Sequence, residues 1–146
     1  MAHDFKAFPE LANHQVELYY FDSPHKQIFE DFTAKVMKVT DGDTIRVQWS
    51  ERDFDFPVRF INIAAPERKE TGGPESRNWL ESQVLGELVD IKITPSLRVG
   101  KWGRILGYVH LKGIDMGEAS MMNGHSISWD DRDSGSVGNP IKEFEP

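Results

Sequence analysis

Hydrophobic and polar positions alternate along the middle of the chain in the way that a half-buried β-strand requires. The alternation is clearest over residues 44–49, where Ile45, Val47 and Trp49 would share one face. Val36 and Val39 indicate a short strand before this one, and residues 55–63 predict a third strand after it. A turn at Asp41-Gly42 and a polar connection over residues 50–53 separate the three strands. This part of the chain therefore predicts a meander.

The second half of the chain mixes helical and strand patterns. Gly72-Gly73-Pro74 interrupts the strand pattern, and the proline is typical of a first helical turn. The helix that follows has apolar residues at helical spacing, which predicts that they cover one face of the sheet: Trp79, Leu80, Val84, Leu85 and Leu88. Residues 89–94 and 103–111 predict a fourth and a fifth strand. Residues 115–123 predict a short helix that stops at Gly124.

The element order β-β-β-α-β-β-α predicts a β-rich α+β fold. It fits a five-stranded OB-fold Greek-key barrel with one helix after strand 3 and a short helix after strand 5. The pattern alone also fits other small barrels. We expect an N-terminal extension over residues 1–34, the barrel domain over residues 35–129 and an acidic tail over residues 130–146.

Length and composition restrict the chemistry and the compartment. A chain of 146 residues can bury the core of one domain, and the lack of cysteine excludes disulfides and thiol nucleophiles. The five histidines show no metal-ligand spacing. No apolar run reaches the roughly 18 residues of a membrane span, and the first residues do not read as a signal peptide. We expect a soluble protein without membrane contact, in the cytoplasm or within a macromolecular assembly.

Charge is unevenly distributed along the chain. The net charge is −7, yet residues 35–113 carry 13 basic and 11 acidic side chains, so that the acidity lies in the two ends. Acidic ends repel phosphates, so we expect binding to nucleic acid to be no more than weak to moderate, although the ends also fit simple solvation. Residues 1–34 hold seven of the 16 aromatic residues, which is unusual for a disordered tail. We expect this aromatic segment to dock on the chain's own barrel or on a protein partner.

Four charged positions along the predicted barrel are candidates for chemistry. Asp41 and Asp43 would point to one face of an extended segment and could share a cation, although Asp-Gly is also a common hairpin turn. Arg59 lies between apolar neighbours, where an unpaired charge would be costly, and taken alone it fits a rim arginine paired with Asp53 or Asp55. Taken alone, Glu67 after Ala65-Pro66 reads as a surface glutamate.

Together these motifs resemble the active-site signature of the staphylococcal nuclease family over about residues 35–129. The matching residues are Asp41-Gly42-Asp43-Thr44, the segment from Val58 to Glu67, and Gly103-Arg104. The resemblance implies metal-assisted hydrolysis of DNA or RNA with calcium or another divalent cation. It makes Asp43 and Asp41 the metal residues, Arg59 and Arg104 the phosphate clamps, and Glu67 the general base. It also implies substrate contacts by Lys101 and Trp102.

Two features depart from the family pattern. Ala64 stands where the family has a second metal-binding aspartate, and a methyl group cannot coordinate a cation. The family's long C-terminal helix has no counterpart in residues 130–146. The sequence therefore also fits a non-catalytic structural or binding module of a larger assembly, such as a virion component. Binding of phosphate or an oligonucleotide without cleavage is a third hypothesis.

Overall fold

The computed structural model describes residues 10–11, 26–100 and 103–129. Within these residues the regular elements are β1 (Phe32–Asp41), β2 (Thr44–Gln48), β3 (Phe56–Phe60), β4 (Ile63–Ala64), helix α1 (Gly73–Val84), β5 (Leu88–Lys92), a 3-10 turn (Pro95–Leu97), β6 (Ile105–Leu111), β7 (Ile114–Asp115), helix α2 (Met116–Met122) and β8 (Ile127–Ser128). The predicted order of strands and helices is confirmed.

Five strands form a closed barrel. They follow the order β3-β2-β1-β5-β6, and β3 pairs with β6 in parallel to join the two ends of the sheet. All other pairings between neighbouring barrel strands are antiparallel. The structure confirms the β-rich α+β class and the OB-type five-stranded barrel with two helices. Closure also leaves no edge of the barrel sheet unpaired, which protects it against strand addition.

The first strand is longer than its hydrophobic pattern predicts. Phe32, Ala34 and Val36 are buried at every second position, but Met37 and Lys38 are then both exposed before the burial resumes at Val39. The pairing of β1 with β2 shifts register at this place and again before Asp41. These irregularities bend the strand around the barrel and disguise its period of two.

The predicted third strand is divided into two pieces. Phe56, Val58 and Phe60 in β3 are buried in the core, as the alternation predicts. The single strand over residues 55–63 is nevertheless wrong, because the chain leaves the barrel sheet after Phe60. Residues 63–64 form β4, which pairs with β8 in a separate two-stranded sheet. The change of direction brings the chain after Ala64 to the end of the barrel that carries the β1–β2 turn.

Helix α1 covers the barrel with fewer residues than predicted. Leu80 and Val84 are fully buried and Trp79 packs against the core. Leu85 and Leu88 are 46% and 66% exposed, so the prediction that they belong to the buried face is wrong. The helix ends at Val84 because Leu85 adopts an extended conformation and Gly86 has a positive φ.

The part of the N-terminal extension that the structure describes lies against the barrel. Glu10 and Leu11 are fully buried, Phe32 belongs to the core, and Phe29 lies under the guanidinium of Arg98. The other five aromatic residues of the extension lie outside the described residues. β1 begins at Phe32, inside the expected extension, and the division into three segments stays a prediction. No described helix combines the length and apolar character that crossing a bilayer would need.

Leu80 in α1 and Leu85 directly after it provide a matched test of the packing. Leu80→Ala should lower the free energy of unfolding by about 2–5 kcal/mol, because it leaves a cavity in the core. Leu85→Ala should cost less than about 1 kcal/mol, because the side chain is half exposed. Guanidinium unfolding followed by circular dichroism measures both. Equal costs for the two variants would contradict this placement of the helix.

Candidate active site

The turn between β1 and β2 places two carboxylates at one end of the barrel. Asp41 closes β1 and is half-buried, whereas the side chain of Asp43 is fully buried. Thr44 Oγ1 donates to Asp43 Oδ1 at 3.0 Å, and the Ala65 amide donates to Asp43 Oδ2 at 2.9 Å. The buried carboxylate therefore connects the β1–β2 turn to the segment that follows β4.

Gly42 allows this turn to pack closely on helix α1. A Cβ atom at this position would lie 1.9 Å from Ser76 Oγ and 3.0 Å from the Cβ of Ala65. Ser76 is itself buried, and its hydroxyl donates to the carbonyl oxygen of His125. The Asp-Gly-Asp segment is thus a packed turn whose glycine is required by space, and the helix fixes the position of the carboxylates on either side.

Arg59 on β3 reaches the buried carboxylate from the neighbouring strand. Its side chain is 2% exposed, and its Nη2 atom lies 3.9 Å from Asp43 Oδ2. The indole ring of Trp129 covers the guanidinium, with Cζ 4.7 Å from the ring centroid. Arg59 is therefore not the rim arginine paired with Asp53 or Asp55 that the sequence also allowed. It is Arg46 that donates to the backbone of Asp55.

Arg104 approaches the same carboxylates from the start of β6. It follows Gly103, whose φ of 83° belongs to the left-handed region that favours glycine. Partial burial lowers the pKa of the Arg104 guanidinium, and the charges of Asp43 and Asp41 act in the opposite direction. The charges of both aspartates act on Arg104, so its guanidinium lies within electrostatic range of the acidic pair. Asp41, Asp43, Arg59 and Arg104 are therefore brought together.

Burial dominates the proton affinity of Asp43. It raises the pKa of the carboxyl from 3.8 to about 7. The positive charge of Arg59 and the hydrogen bonds from Ala65 and Thr44 oppose the rise, while the charge of Asp41 adds to it. The cost of desolvation exceeds the sum of these favourable contacts, because a fully buried carboxylate loses all its water. Asp43 is thus partly protonated near neutral pH.

Glu67 does not join this cluster. It lies after Ala65-Pro66 with an exposed side chain, and its backbone amide donates to Glu70 Oε1 at 2.8 Å. Its carboxylate makes no hydrogen bond or ion pair with any other residue that the structure describes. The close packing of Gly73 on the Glu67 carbonyl, where a Cβ would lie 1.8 Å from the oxygen, fixes its backbone beside α1.

Ala64 is buried away from solvent in an apolar environment. Its exposure is 0%, and it packs against Ile127 and Trp129. The adjacent Ile63 belongs instead to the main core, because successive side chains of a strand point to opposite faces. Lys101 and Trp102, the predicted substrate residues, lie outside the described residues.

Two residues that the sequence did not indicate also lie at this site. Trp129 stacks on Arg59 and, with Tyr108, lines a groove of about 550 Å³ beside this arginine. Arg68 lies near Asp41, with its Nε 3.9 Å from Asp41 Oδ1. In the sequence, the only signal for Trp129 is its place at the end of the apolar pattern. The signal for Arg68 is its position directly after the candidate base Glu67.

A divalent cation at this site would need oxygen ligands from the carboxylates. No group of three or more His, Cys, Asp or Glu side chains within the described ranges is arranged to hold a metal ion. A cation that keeps several of its waters, such as magnesium, takes only one or two carboxylates from a protein. The pair of Asp41 and Asp43 does not supply the six to eight oxygen ligands of a calcium cage from side chains alone.

Comparison with known proteins gives two relatives. Over 80 residues the chain is 36% identical to a protein named uncharacterized endonuclease from Escherichia coli, and 35% identical to one of the same name from Escherichia coli O157:H7. Each match covers 55% of this chain and 49% of the relative, so the chain spans about half the length of the curated relatives it matches. No protein-family profile matches the chain. These similarities support a nuclease family in general.

The raised pKa of Asp43 predicts a specific dependence of stability on pH. Between pH 4 and 7 the folded state holds a proton that the unfolded carboxyl, with its pKa of 3.8, releases. The contribution of this proton to the free energy of unfolding is therefore fully present below about pH 4. It is lost as the pH rises through 7, by at most about 1.36 kcal/mol per pH unit. The asparagine of Asp43→Asn does not titrate, so the stability of this variant relative to wild type should rise with pH.

Denaturant unfolding of wild type and Asp43→Asn at several values between pH 4 and pH 8 measures this difference. Asp53→Asn, a change at an exposed aspartate, is the matched control and should give a constant difference. A constant difference for Asp43→Asn as well would show that Asp43 keeps an ordinary pKa in the folded protein.

Proposed function

We propose that this chain is a nuclease domain of the staphylococcal nuclease type, which hydrolyses phosphodiester bonds in DNA or RNA. The observation that carries the proposal is the convergence of Arg59 and Arg104 on Asp41 and Asp43 at one end of an OB-type barrel. The two relatives named endonuclease support it. The barrel class alone would be compatible with many functions.

The two arginines suit the binding of a phosphate. A guanidinium offers a planar set of donors that can hold two non-bridging oxygens, and it stays charged at any physiological pH. Burial strengthens this electrostatic effect, because the low dielectric around Arg59 weakens its screening by water. The two guanidiniums at this end of the barrel would let an acidic chain contact a phosphate locally.

The groove beside Arg59 suits a nucleotide base. Trp129 and Tyr108 present aromatic surface next to the proposed phosphate position, and stacking on such surface tolerates any base. The base must be unstacked to enter, which favours single-stranded substrate. Lys101 and Trp102, by their positions just before Gly103 and Arg104, are proposed to extend these contacts to substrate.

The carboxylates divide the remaining work. Asp43 and Asp41 would hold a divalent cation, which activates water and neutralises charge on the phosphate when bound. Glu67 is proposed as the general base, because its exposed carboxylate lies on the fixed backbone after β4 and can accept a proton from water. The buried Asp43 would bind a cation better as the pH rises towards 7, because proton and cation compete for it.

Three substitutions separate binding from chemistry. Arg59→Ala and Arg104→Ala should each lower cleavage of a single-stranded oligonucleotide by about 10²–10³-fold with magnesium, manganese or calcium, because each removes a donor to the reacting phosphate. Glu67→Gln should abolish cleavage and leave the affinity within about twofold, because the base acts only on water. Gel assays give the rates and fluorescence anisotropy gives the affinities.

Arg77→Ala, which removes an arginine from the surface of α1, is the matched control and should cleave like wild type. Equal activity of the Arg59 and Arg104 variants with wild type would refute the proposed site.

A second candidate function is binding of the same substrate without cleavage. The observation that favours it is the apolar burial of Ala64 against Ile127 and Trp129, together with the lack, among the described residues, of a third carboxylate that could hold a metal ion with Asp41 and Asp43. A weakly held cation would leave the two arginines as the main contacts to phosphate. In this case the domain is a binding module, and an assembly to which it belongs would supply any chemistry.

Ala64→Asp distinguishes these two functions. The new carboxylate would be buried near Asp43, so it should lower the melting temperature by several degrees in EDTA. If it faces the cation position, millimolar calcium should restore more stability to this variant than to wild type, and cleavage should increase. Asn78→Asp on the exposed surface of α1 is the control. A wild type that cleaves as fast as Ala64→Asp would exclude the binding-only function.

A further inference from the structure

A buried group of charges joins the N-terminal segment to the barrel on the side of β6. Glu10 is fully buried and lies between Arg52 and Arg98, which are 7% and 1% exposed. Arg98 Nη1 donates to Glu10 Oε1 at 3.0 Å, and Arg52 Nη2 donates to Glu10 Oε2. One carboxylate thus faces two guanidiniums, and burying it without them would be very unfavourable.

The backbone around this cluster is also bonded to it. The Ile28 amide donates to Glu10 Oε1 at 2.9 Å. Arg98 donates through Nη1 to the Ile28 carbonyl at 2.9 Å and through Nη2 to the Leu11 carbonyl at 2.6 Å. A single arginine therefore holds two separate parts of the chain. The planar fork of arginine allows this arrangement and the point charge of a lysine does not.

The same cluster lies at the base of the loop that carries Arg104. Arg98 begins this loop, and its carbonyl accepts a hydrogen bond from Leu106 in β6 at 2.9 Å. The Gly100 amide donates to the Arg104 carbonyl at 2.8 Å, so that the loop returns on itself as a hairpin. The far side of the hairpin is fixed by Glu10, whose amide donates to the Gly103 carbonyl at 3.1 Å.

We propose that Glu10 is a positioning residue for Arg104. Its side chain holds Arg98 at the start of the hairpin and its backbone holds Gly103 at the end, so the orientation of Arg104 depends on a docked N-terminal segment. The proposal rests on the proposed function of Arg104 as a phosphate ligand. The orientation of Arg104 therefore depends on a residue that lies far from it in sequence.

Arg59 provides the comparison that makes this role specific. It lies on β3, and its side chain contacts Asp43 and Trp129. A Glu10 that only stabilises the fold would affect both arginines alike. A Glu10 that positions Arg104 affects binding through Arg104 and leaves binding through Arg59 unchanged.

The test is a set of double-mutant cycles on the full chain. The dissociation constant of a fluorescent single-stranded DNA oligonucleotide is measured by anisotropy in EDTA at low salt, where no cleavage occurs. Glu10→Gln is introduced into wild type, Arg59→Ala and Arg104→Ala. Glu87→Gln, at an exposed glutamate, is the matched control. Melting curves fix a temperature at which every variant is folded.

We expect Glu10→Gln to weaken binding roughly tenfold in wild type and in Arg59→Ala, the order of one lost charge-assisted hydrogen bond. In Arg104→Ala it should change the affinity less than about twofold, because the group it positions is already absent. If Glu10→Gln does not fold, Arg98→Lys enters the same cycle, since it keeps the charge and loses the fork.

The outcomes separate the two proposals. An equal loss in all three backgrounds, or no loss in any of them, would overturn the positioning role while leaving the phosphate site intact. Binding that is unchanged in both Arg59→Ala and Arg104→Ala would instead refute the proposed function, and the positioning role with it.

Discussion

The parallel pairing of β3 with β6 is the contact on which the rest of the structure depends. It joins the two ends of a five-stranded sheet, and its register sets Val58 beside Ile105 and Arg59 beside Leu106. The same register brings Arg59 and the start of β6, where Arg104 lies, to one end of the barrel. Every other pairing in the barrel is antiparallel. The site is thus a product of closure, since neither arginine lies near the other in sequence.

The charged groups at this end of the barrel are affected by burial as much as by pairing. Asp43 has an arginine nearby and two hydrogen-bond donors, yet its pKa still rises to about 7 because it has no access to water. Arg59 is equally buried and also contacts the face of Trp129. An arrangement of this kind is costly for a fold to keep, and such costs are common where a protein binds a charged ligand.

The sequence predicts the local parts of this site better than its assembly. Asp41 and Asp43 could be placed together because only Gly42 separates them in the chain. Leu85 was misplaced because a helical spacing of apolar residues does not reveal that Gly86 ends the helix. The stacking of Trp129 on Arg59 depends on β8, whose two residues are too few to show a period. The proximity of the two arginines followed from resemblance alone, since no local rule predicts a closing strand pair.

The order in which the barrel forms has a consequence for the chain while it folds. The antiparallel pairs β1–β2 and β2–β3 join neighbouring segments, whereas the pairing of β3 with β6 spans the part of the chain that contains α1 and β5. Contacts between distant segments form against a larger loss of chain entropy and are slow. A chain that has folded only its meander has Asp43 without Arg104 and without a buried environment. The phosphate binding that we propose would therefore appear with this long-range contact, which would make ligand binding a reporter of complete folding.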